Sequence, residues 1–482
     1  MQQPEILPNF IGGRWMPATA SGHIDVHNPA RGVVIARTPL STAADVEAAV
    51  EAAQDAFPAW SETPPVVRAR AMFAFRDLLE KHFEELARLV TTEHGKTLQE
   101  SRGSMRRAIE CVEVACGGPS MLMGYGLENI ATDIDCMVMR QPIGVCAAIA
   151  PFNFPAMVPL WFLPFAVVCG NTFVLKPSEQ VPLSQKRIFE LLERCGLPPG
   201  VVNLVNGGRE VVEAICDHPG IRAVSFVGST AVARAVYQRA TQAGKRVQSL
   251  GGAKNFIIVM PDADLDRAMP IIGESFYGCA GERCLAGSVL LPVGSIHREV
   301  TDRMVAVAEG LKVGDGLEPD IDMGPVISAK HRERVLGYVE RGKAEGAKLV
   351  TNGPRKLPDE GFFVAPMVFD GVKPSMTIGH EEIFGPVATV NAVKDLEEAF
   401  RVMYAHPNAN ATSIFTSSGK AARDFAHRAT ASMVGVNIGV AAPMAYFPFG
   451  GARDSFFGDL KVHGRDAFEF YTDKKVTISR WL

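Results

Sequence analysis

An arginine followed by a cysteine is the part of this sequence best suited to chemistry. Cys284 comes directly after Arg283, between small residues and before the apolar run 289–293. A neighbouring cation lowers the pKa of a thiol from its usual value of about 8.5, and the resulting thiolate can attack a carbonyl carbon. Free cysteines are equally typical of packed cores, so these residues alone leave both interpretations open.

An asparagine in a proline-bounded loop is a second candidate. Asn153 lies between Pro151 and Pro155 and is the only polar side chain in that loop. Its amide is a donor suited to an oxyanion that develops during a reaction. A turn asparagine that caps its own backbone explains the pattern equally well.

Polar residues also follow two apolar stretches that the sequence predicts to be strands. Lys176 and Glu179 come after 172–175, and Gly228-Ser229-Thr230 comes after 223–227 and before a predicted helix. Open α/β sheets bind ligands at the carboxyl ends of strands, where a carboxylate accepts the ribose hydroxyls of NAD and repels the 2′-phosphate of NADP. A helix N-terminus after such a turn suits phosphate, although no Gly-x-Gly-x-x-Gly pattern is present. These strand ends therefore favour a site for NAD.

Apolar spacing predicts the elements that must position these residues. Helical spacing from 67 to 89 predicts one long helix. A further helix is predicted over 98–116; it carries Arg102, Arg106 and Arg107, of which at least two are expected to face solvent.

Two other stretches need an explanation. The uncharged run 142–175 has the hydropathy of a membrane span, but four prolines and two asparagines interrupt it, so we predict a buried strand-loop-helix-strand unit. Residues 474–481 alternate as a strand with no partner evident in the sequence, and another subunit is one candidate partner.

Composition predicts a folded protein with more than one core. The chain has 482 residues, 47% of them hydrophobic and 21% charged, so two large domains are expected. A net charge of -4 argues against nucleic acid or an anionic membrane as a partner. Nine cysteines without a Cys-x-x-Cys pair predict free thiols and no metal site. No signal-peptide pattern opens the sequence, so a cytoplasmic location is expected.

Five motifs, taken together, resemble the aldehyde dehydrogenase superfamily over essentially the whole chain, and their shared order makes the resemblance specific. They are Pro151-Phe152-Asn153-Phe154-Pro155, Lys176-Pro177-Ser178-Glu179, Phe226-Val227-Gly228-Ser229-Thr230, Gly281-Glu282-Arg283-Cys284 and Glu381-Glu382-Ile383-Phe384-Gly385-Pro386. The resemblance implies an α/β fold with a Rossmann-type NAD-binding domain, an α/β catalytic domain and a small β oligomerisation arm. The expected domains are 1–116 with 137–249 for NAD, 250–445 for catalysis, and 117–136 with 463–482 for the arm.

The resemblance also implies a role for each motif. Cys284 is implied to be the nucleophile, and Asn153 with the Cys284 backbone N–H to form the oxyanion hole. No metal is implied. The residues implied to bind NAD are Phe152, Lys176, Glu179, Gly228, Ser229, Glu382 and Phe384.

One departure narrows the reaction. Most of the superfamily hydrolyses its thioester with a glutamate four residues before a lysine, but here Leu250 stands four residues before Lys254. A leucine cannot activate water, so a thiol such as coenzyme A is expected to take the acyl group. With its surrounding motifs, this substitution resembles the CoA-acylating methylmalonate-semialdehyde dehydrogenases. In that family two arginines bind the substrate carboxylate; the matching residues are Arg107 and Arg283, whose planar guanidinium groups suit the task.

The sequence therefore predicts NAD-dependent oxidation of malonate or methylmalonate semialdehyde, with decarboxylation and transfer of the acyl group to CoA as acetyl-CoA or propanoyl-CoA. One alternative is a hydrolytic dehydrogenase of another carboxylated aldehyde, such as succinate semialdehyde, with Glu381 or Glu382 as the base. A non-catalytic binding protein is a further alternative. It is disfavoured by the joint presence of Cys284, Asn153, Glu179 and Glu382. A homodimer or homotetramer is the expected assembly.

Overall fold

Two large sheets carry most strands of the computed structural model, which describes residues 4–352 and 356–482. The strands are β1 (Asn9–Ile11), β2 (Arg14–Met16), β3 (Ala20–Asn28), β4 (Val33–Ser41), β5 (Tyr125–Ala131), β6 (Ile134–Pro142), β7 (Val145–Ile149), β8 (Thr172–Lys176), β9 (Val202–Leu204), β10 (Ile221–Val227), β11 (Arg246–Leu250), β12 (Asn255–Val259), β13 (Gly287–Pro292), β14 (Lys348–Leu349), β15 (Met367–Asp370), β16 (Val387–Val390), β17 (Asn408–Ala409), β18 (Ala411–Phe415), β19 (Met433–Val436), β20 (Ala452–Arg453), β21 (Phe456–Phe457) and β22 (Thr472–Arg480). The helices are α1 (Ala43–Glu62), α2 (Pro65–Lys81), α3 (Phe83–His94), α4 (Leu98–Cys116), α5 (Gly118–Met121), α6 (Leu163–Val168), α7 (Leu183–Leu192), α8 (Arg209–Asp217), α9 (Thr230–Gln242), α10 (Leu265–Tyr277), α11 (His297–Gly310), α12 (Ala329–Ala344), α13 (Thr377–His380), α14 (Leu396–Ala405), α15 (Gly419–Arg428) and α16 (Gly464–Phe470).

The first sheet has the order β2-β1-β9-β8-β7-β10-β11-β21. Its central strands β9, β8, β7, β10 and β11 run parallel. Helices α6 to α9 connect them in turn, as parallel strands require. The carboxyl ends of β7, β8 and β10 consequently meet at one edge of the sheet, which is where open α/β sheets bind ligands.

The second sheet has the order β14-β15-β16-β13-β12-β18-β19 and is parallel except for β14. The chain passes from the first sheet to the second through residues 251–254, which join β11 to β12. Cys284 lies just before β13 of this sheet.

Both sheets are buried on both faces. In β7, Cys146 and Ala148 belong to one apolar cluster, whereas Val145 and Ala147 belong to another. The same division holds in β12. Successive side chains of a strand point to opposite faces, so a strand covered on both sides is a continuous apolar run. The predicted α/β class is confirmed.

A smaller antiparallel sheet has the order β22-β6-β5. β22 pairs with β6 over nine residues, from Thr472 opposite Pro142 to Arg480 opposite Ile134. Another subunit was one candidate partner for this strand, but its partner over these residues is β6 of the same chain, which no local pattern marks because it is so distant in sequence. This sheet exposes large apolar side chains: Tyr125, Leu127, Met137, Met139, Val476 and Ile478.

The predicted single helix over 67–89 is also wrong. Two helices, α2 and α3, meet at His82, where φ is -104° and ψ is 17°. The apolar spacing continues across the break because both helices contribute to the same apolar cluster, with Phe75 and Leu79 from α2 and Leu86 and Val90 from α3.

The uncharged run 142–175 forms the predicted strand-loop-helix-strand unit, made of β7, α6 and β8. Its strands are buried along their whole length in the first sheet. Among the described helices, none combines the length and the apolar character needed to cross a bilayer.

Candidate active site

Cys284 lies on a strained loop between α10 and β13. The loop begins with left-handed backbone at two residues that are not glycine, Cys279 with φ 51° and Ala280 with φ 52°, followed by Gly281 with φ 75°. A β-carbon on Gly281 would lie 2.2 Å from the carbonyl oxygen of Gly385. Left-handed backbone disfavours ordinary residues, so surrounding contacts must hold this loop in place.

Two amides hold the main chain of the candidate nucleophile. Asn255 Nδ2 donates to the Cys284 carbonyl at 3.0 Å, and Asn410 Nδ2 donates to the same oxygen at 2.8 Å. Both asparagines are buried. Asn255 is the first residue of β12 and Asn410 directly precedes β18, so these bonds fix the peptide after Cys284 relative to both strands.

Asn153 reaches the cysteine loop from the end of β7. Its side chain is buried, and Nδ2 donates to the carbonyl oxygen of Glu282 at 3.0 Å. Two candidates that are 131 positions apart in the sequence are thus brought to one place. The Asn153 amide contacts the carbonyl of Glu282, the residue two positions before Cys284, and an amide donor near the cysteine suits an oxyanion formed there.

The Cys284 thiol is neutral in this arrangement. Burial and, to a smaller extent, the nearby Glu382 carboxylate together raise its pKa to about 12. Arg283 lowers this pKa as the sequence suggests, but its effect is the smaller one. The direction of the expected Arg283 effect therefore holds, but burial of the thiol is the larger effect and favours the neutral form.

Cys284, Arg107 and Arg283 line one pocket of about 80 Å³. Its other walls are mainly apolar and include Phe154, Met157, Trp161, Leu285, Val440 and Phe449. A cavity needs about 10–15 Å³ to hold one water molecule, so a pocket of this volume has room for roughly five to eight water-sized groups. The pocket fits a small molecule with one apolar part and one anionic group.

Arg107 enters this pocket from α4. Its guanidinium donates to the carbonyls of Ala442 and Pro443, at 3.2 and 2.9 Å, and to Glu110 at 2.9 Å. Arg102 and Arg106 instead form exposed ion pairs with glutamates outside the pocket. The expectation that two of the three arginines face solvent is confirmed.

Arg283 lines the same pocket, but its guanidinium is already paired. Its Nη2 lies 3.2 Å from Glu100, and its Nε lies 3.3 Å from the Cys279 sulfur. The group packs flat against Gly278, where a β-carbon would lie 2.4 Å from the guanidinium carbon. Arg283 therefore adds positive charge to the pocket, but some of its N–H groups are already bonded to Glu100 and Cys279.

The predicted cofactor residues Lys176 and Glu179 meet at the carboxyl end of β8. Lys176 Nζ donates to Glu179 at 2.7 Å. Burial opposes ionisation of Glu179, but the charge and hydrogen bond of Lys176 outweigh it and lower the pKa of this carboxyl. A charged carboxylate consequently stands at this sheet edge at neutral pH.

Gly228 and Ser229 lie at the carboxyl end of β10, where α9 begins. Ser229 is the N-cap residue, and its side chain makes no capping bond to the helix. A β-carbon on Gly228 would lie 2.5 Å from the ring of Phe226, so a larger residue does not fit. The first N–H groups of a helix attract anions, and this turn presents them beside β8 and β7.

Glu382 and Phe384 lie on the loop between α13 and β16, and they contact the segment after β11 and the loop after β7. Glu382 accepts the N–H of Ala253 at 3.0 Å, and burial raises its pKa to about 7. Phe384 has left-handed backbone with φ 59°, and its ring centroid lies 5.8 Å from that of Phe152. All seven predicted cofactor residues therefore lie around the adjoining edges of the two sheets.

Leu250 occupies the position that the hydrolytic members of the superfamily fill with a glutamate. It is 4% exposed and belongs to the apolar cluster against which Cys284 packs. The hydrocarbon side chain offers no group that could take a proton there.

A polar network behind the cysteine loop was missing from the sequence prediction. Lys96 donates to the Asn153 carbonyl at 2.6 Å. Glu282 lies fully buried between His331, at 3.4 Å, and His94, at 3.8 Å. These residues come from separate segments, and no spacing in the sequence signals that they meet.

Comparison with known proteins places the chain among oxidoreductases. The sequence model described as "Aldehyde dehydrogenase family" matches residues 15–477. "Malonate-semialdehyde dehydrogenase 3" of Geobacillus kaustophilus is 49% identical, with all of both chains covered.

Solved structures resemble this one over its full length. A Sinorhizobium meliloti structure described as a methylmalonate-semialdehyde dehydrogenase complexed with NAD has a TM-score of 0.98 and 42% identity, and the match covers 100% of this chain and 99% of that chain. The methylmalonate-semialdehyde dehydrogenase of Oceanimonas doudoroffii has a TM-score of 0.97 and 45% identity, with 99% of each chain covered.

Proposed function

The chain belongs to the aldehyde dehydrogenase family, and we propose that it is an NAD-dependent, CoA-acylating dehydrogenase of malonate or methylmalonate semialdehyde. The observation that carries this proposal is the pocket of Cys284, which pairs a nucleophile with two arginines while Leu250 occupies the place of a hydrolytic base. The names of the full-length relatives support the same substrate class.

The first step joins the aldehyde to Cys284. The thiolate sulfur attacks the carbonyl carbon, and the carbonyl oxygen becomes an oxyanion. The side-chain amide of Asn153, released from the Glu282 carbonyl, and the Cys284 backbone N–H donate to that oxyanion. The thiol must first give up its proton to solvent, which burial of the sulfur opposes most and the nearby Glu382 carboxylate opposes to a smaller extent.

The residues at the sheet edge fit a dinucleotide. The Glu179 carboxylate suits the ribose hydroxyls of adenosine and opposes the 2′-phosphate of NADP. Ser229 makes no side-chain cap at the N-terminus of α9, which suits the pyrophosphate, and the family resemblance assigns Glu382 and Phe384 to the nicotinamide riboside. A bound NAD would supply the hydride acceptor for the thiohemiacetal carbon, and the product of that oxidation would be a thioester on Cys284.

The thioester then meets a site without a water-activating base. Loss of the β-carboxylate as carbon dioxide gives an enolate-like state that the oxyanion hole can stabilise, and a proton completes the acyl group. The CoA thiol attacks the thioester carbon, carries away the acetyl or propanoyl group and returns the Cys284 thiol. Because Leu250 cannot activate water, the thioester persists until the CoA thiol attacks it.

Arg107 and Arg283 supply the recognition of the substrate carboxylate. Both reach the pocket of Cys284, and their guanidinium groups can donate to two carboxylate oxygens. Each guanidinium already has one carboxylate partner, Glu110 for Arg107 and Glu100 for Arg283, so each has only part of its donors free for the substrate.

Assembly, domains and location form part of the same proposal. The first sheet would bind NAD and the second would carry the nucleophile, in the domains expected from the sequence. The exposed apolar side chains of the sheet β22-β6-β5 suit burial against another copy in a homodimer or homotetramer. All nine cysteines are unpaired, as a reducing cytoplasm would keep them.

One observation favours a second candidate, a hydrolytic dehydrogenase of a carboxylated aldehyde. Glu382 has a pKa raised to about 7 and lies near enough to Cys284 to raise the pKa of the thiol. A carboxylate with that pKa can act as a general base near neutral pH.

The test is NADH formation from malonate semialdehyde with and without CoA, with the acyl product identified by mass. Turnover that requires CoA and yields acetyl-CoA is the expected result. Steady turnover without CoA that yields free malonate would refute the acylating reaction. Loss of that steady turnover in Glu382→Gln, with NADH formation in the first turnover retained, would establish the hydrolytic candidate.

A further inference from the structure

The loop between α3 and α4 places a buried ammonium group behind the oxyanion site. Lys96 is 1% exposed, although lysine is among the residues least often buried. Its Nζ donates to the backbone carbonyl of Asn153 at 2.6 Å and lies 3.7 Å from the ring centroid of Phe154. A buried cation is costly, so contacts must compensate it.

The segment that carries Lys96 is itself fixed. A β-carbon on Gly324 would lie 1.9 Å from the carbonyl oxygen of Gly95, and one on Gly316 would lie 2.5 Å from that of Lys96. Leu98 N–H donates to the Gly316 carbonyl at 2.9 Å. Close backbone packing on this segment fixes the main chain from which the Lys96 side chain extends.

The same segment also holds the cysteine loop. Glu100 accepts the N–H of Cys279 at 2.5 Å and lies 3.2 Å from Arg283. Lys96 therefore binds the loop that carries the oxyanion donor, while Glu100, four residues later, binds the loop that carries the nucleophile. Residues 96–100 connect the two halves of the reaction site through polar contacts.

We propose that Lys96 is a positioning residue, which fixes the main chain of Asn153 so that its side-chain amide faces the oxyanion formed on Cys284. The proposal rests on the oxyanion role given to Asn153 above. An amide donor stabilises an oxyanion only if its orientation is set before the reaction, and a hydrogen bond to its own carbonyl restricts the peptide that carries it. Lys96 acts through Asn153 and touches no reacting atom.

The experiment is a double-mutant cycle of Lys96→Met and Asn153→Ala, read as the rate of NADH formation in a single turnover without CoA. Methionine has a similar length and removes both the charge and the hydrogen bond. Lys96→Gln, which keeps a polar group, runs in parallel so that misfolding of one variant does not remove the test. The matched control is Lys245→Met, since Lys245 is also buried and its ammonium also donates to backbone carbonyls, two in this case, but at the amino end of β11.

Lys96→Met is expected to slow the single turnover by roughly 10- to 100-fold without raising the KM for NAD, and to have little further effect once Asn153 is alanine. Lys245→Met should leave the rate unchanged. Equal losses from Lys96→Met with and without Asn153 would overturn the positioning role alone. Full activity of Asn153→Ala would instead overturn the oxyanion role on which the proposal rests.

Discussion

Replacing Arg107 by methionine tests how the pocket recognises an anionic aldehyde. The guanidinium is held by the Ala442 and Pro443 carbonyls and by Glu110, and its side chain is 29% exposed. Methionine has a similar reach and removes the charge, and the freed carbonyls can be hydrated at this partly open position. The change therefore removes substrate contacts while leaving the fold intact.

The size of the effect follows from the bonds that are lost. Hydrogen bonds to charged groups contribute about 1.5–3 kcal/mol, and about 1.4 kcal/mol corresponds to a factor of ten. Loss of the contact should lower kcat/KM for malonate semialdehyde by roughly 10- to 150-fold. Propanal, which has no carboxylate, should lose far less.

The matched control is Arg106→Met, one residue earlier on the same helix. Arg106 pairs with Glu80 outside the pocket, so its loss should leave kcat/KM for both aldehydes unchanged. Initial rates of NADH formation at saturating NAD and CoA give these values. An equal fall for malonate semialdehyde and propanal in Arg107→Met would refute carboxylate recognition by this residue.

Further predictions concern the base, the thiol and stability. Leu250→Glu should permit steady NADH formation over many turnovers without CoA, with thioester hydrolysis roughly 10²- to 10⁴-fold faster than in the control Leu250→Gln; no gain over that control would contradict the role of residue 250. Glu382→Gln should speed alkylation of Cys284 by iodoacetamide at pH 8 several-fold, because the Glu382 carboxylate raises the pKa of the thiol; Glu381→Gln, whose carboxylate binds Tyr338 instead, should not. The pKa of Glu469 is lowered to about 2 from an ordinary 4.5, chiefly by a hydrogen bond from β6, so its stabilisation is full above pH 4.5 and is lost as pH falls toward 2. Glu469→Gln should therefore lower the Tm at pH 7, by the equivalent of about 1 kcal/mol or less for a partly exposed pair, and the difference should shrink in acid.

The sequence predicted the parts of the site that lie in continuous motifs. Glu179 follows an apolar strand whose carboxyl end lies at a ligand-binding edge, so the local pattern indicated it. For Cys284 and Asn153 the local residues left a second interpretation open, and the family resemblance selected them. Arg107 was selected among three arginines of one helix only through the family resemblance. The structure places it in the pocket of Cys284 because it lies on the helix face that the other two do not share.

Other parts could not be predicted because they depend on contacts between distant segments. Lys96 and Asn410 carry no motif of their own, and each acquires its position through packing. The pKa of Cys284 followed the same rule, since burial by the whole fold outweighed its neighbour in sequence. The pairing of β22 with β6 was missed for this reason as well.

The main chain at residue 284 is held by Asn255 and Asn410 through bonds that do not involve the thiol. A serine there would inherit the orientation of the cysteine while losing most of its nucleophilicity. Such an inert receptor would keep both arginines and the apolar wall, so aldehydes could be ranked by equilibrium binding alone. Selectivity could then be redesigned by substituting wall residues in that background, with catalysis restored afterwards by a single codon change.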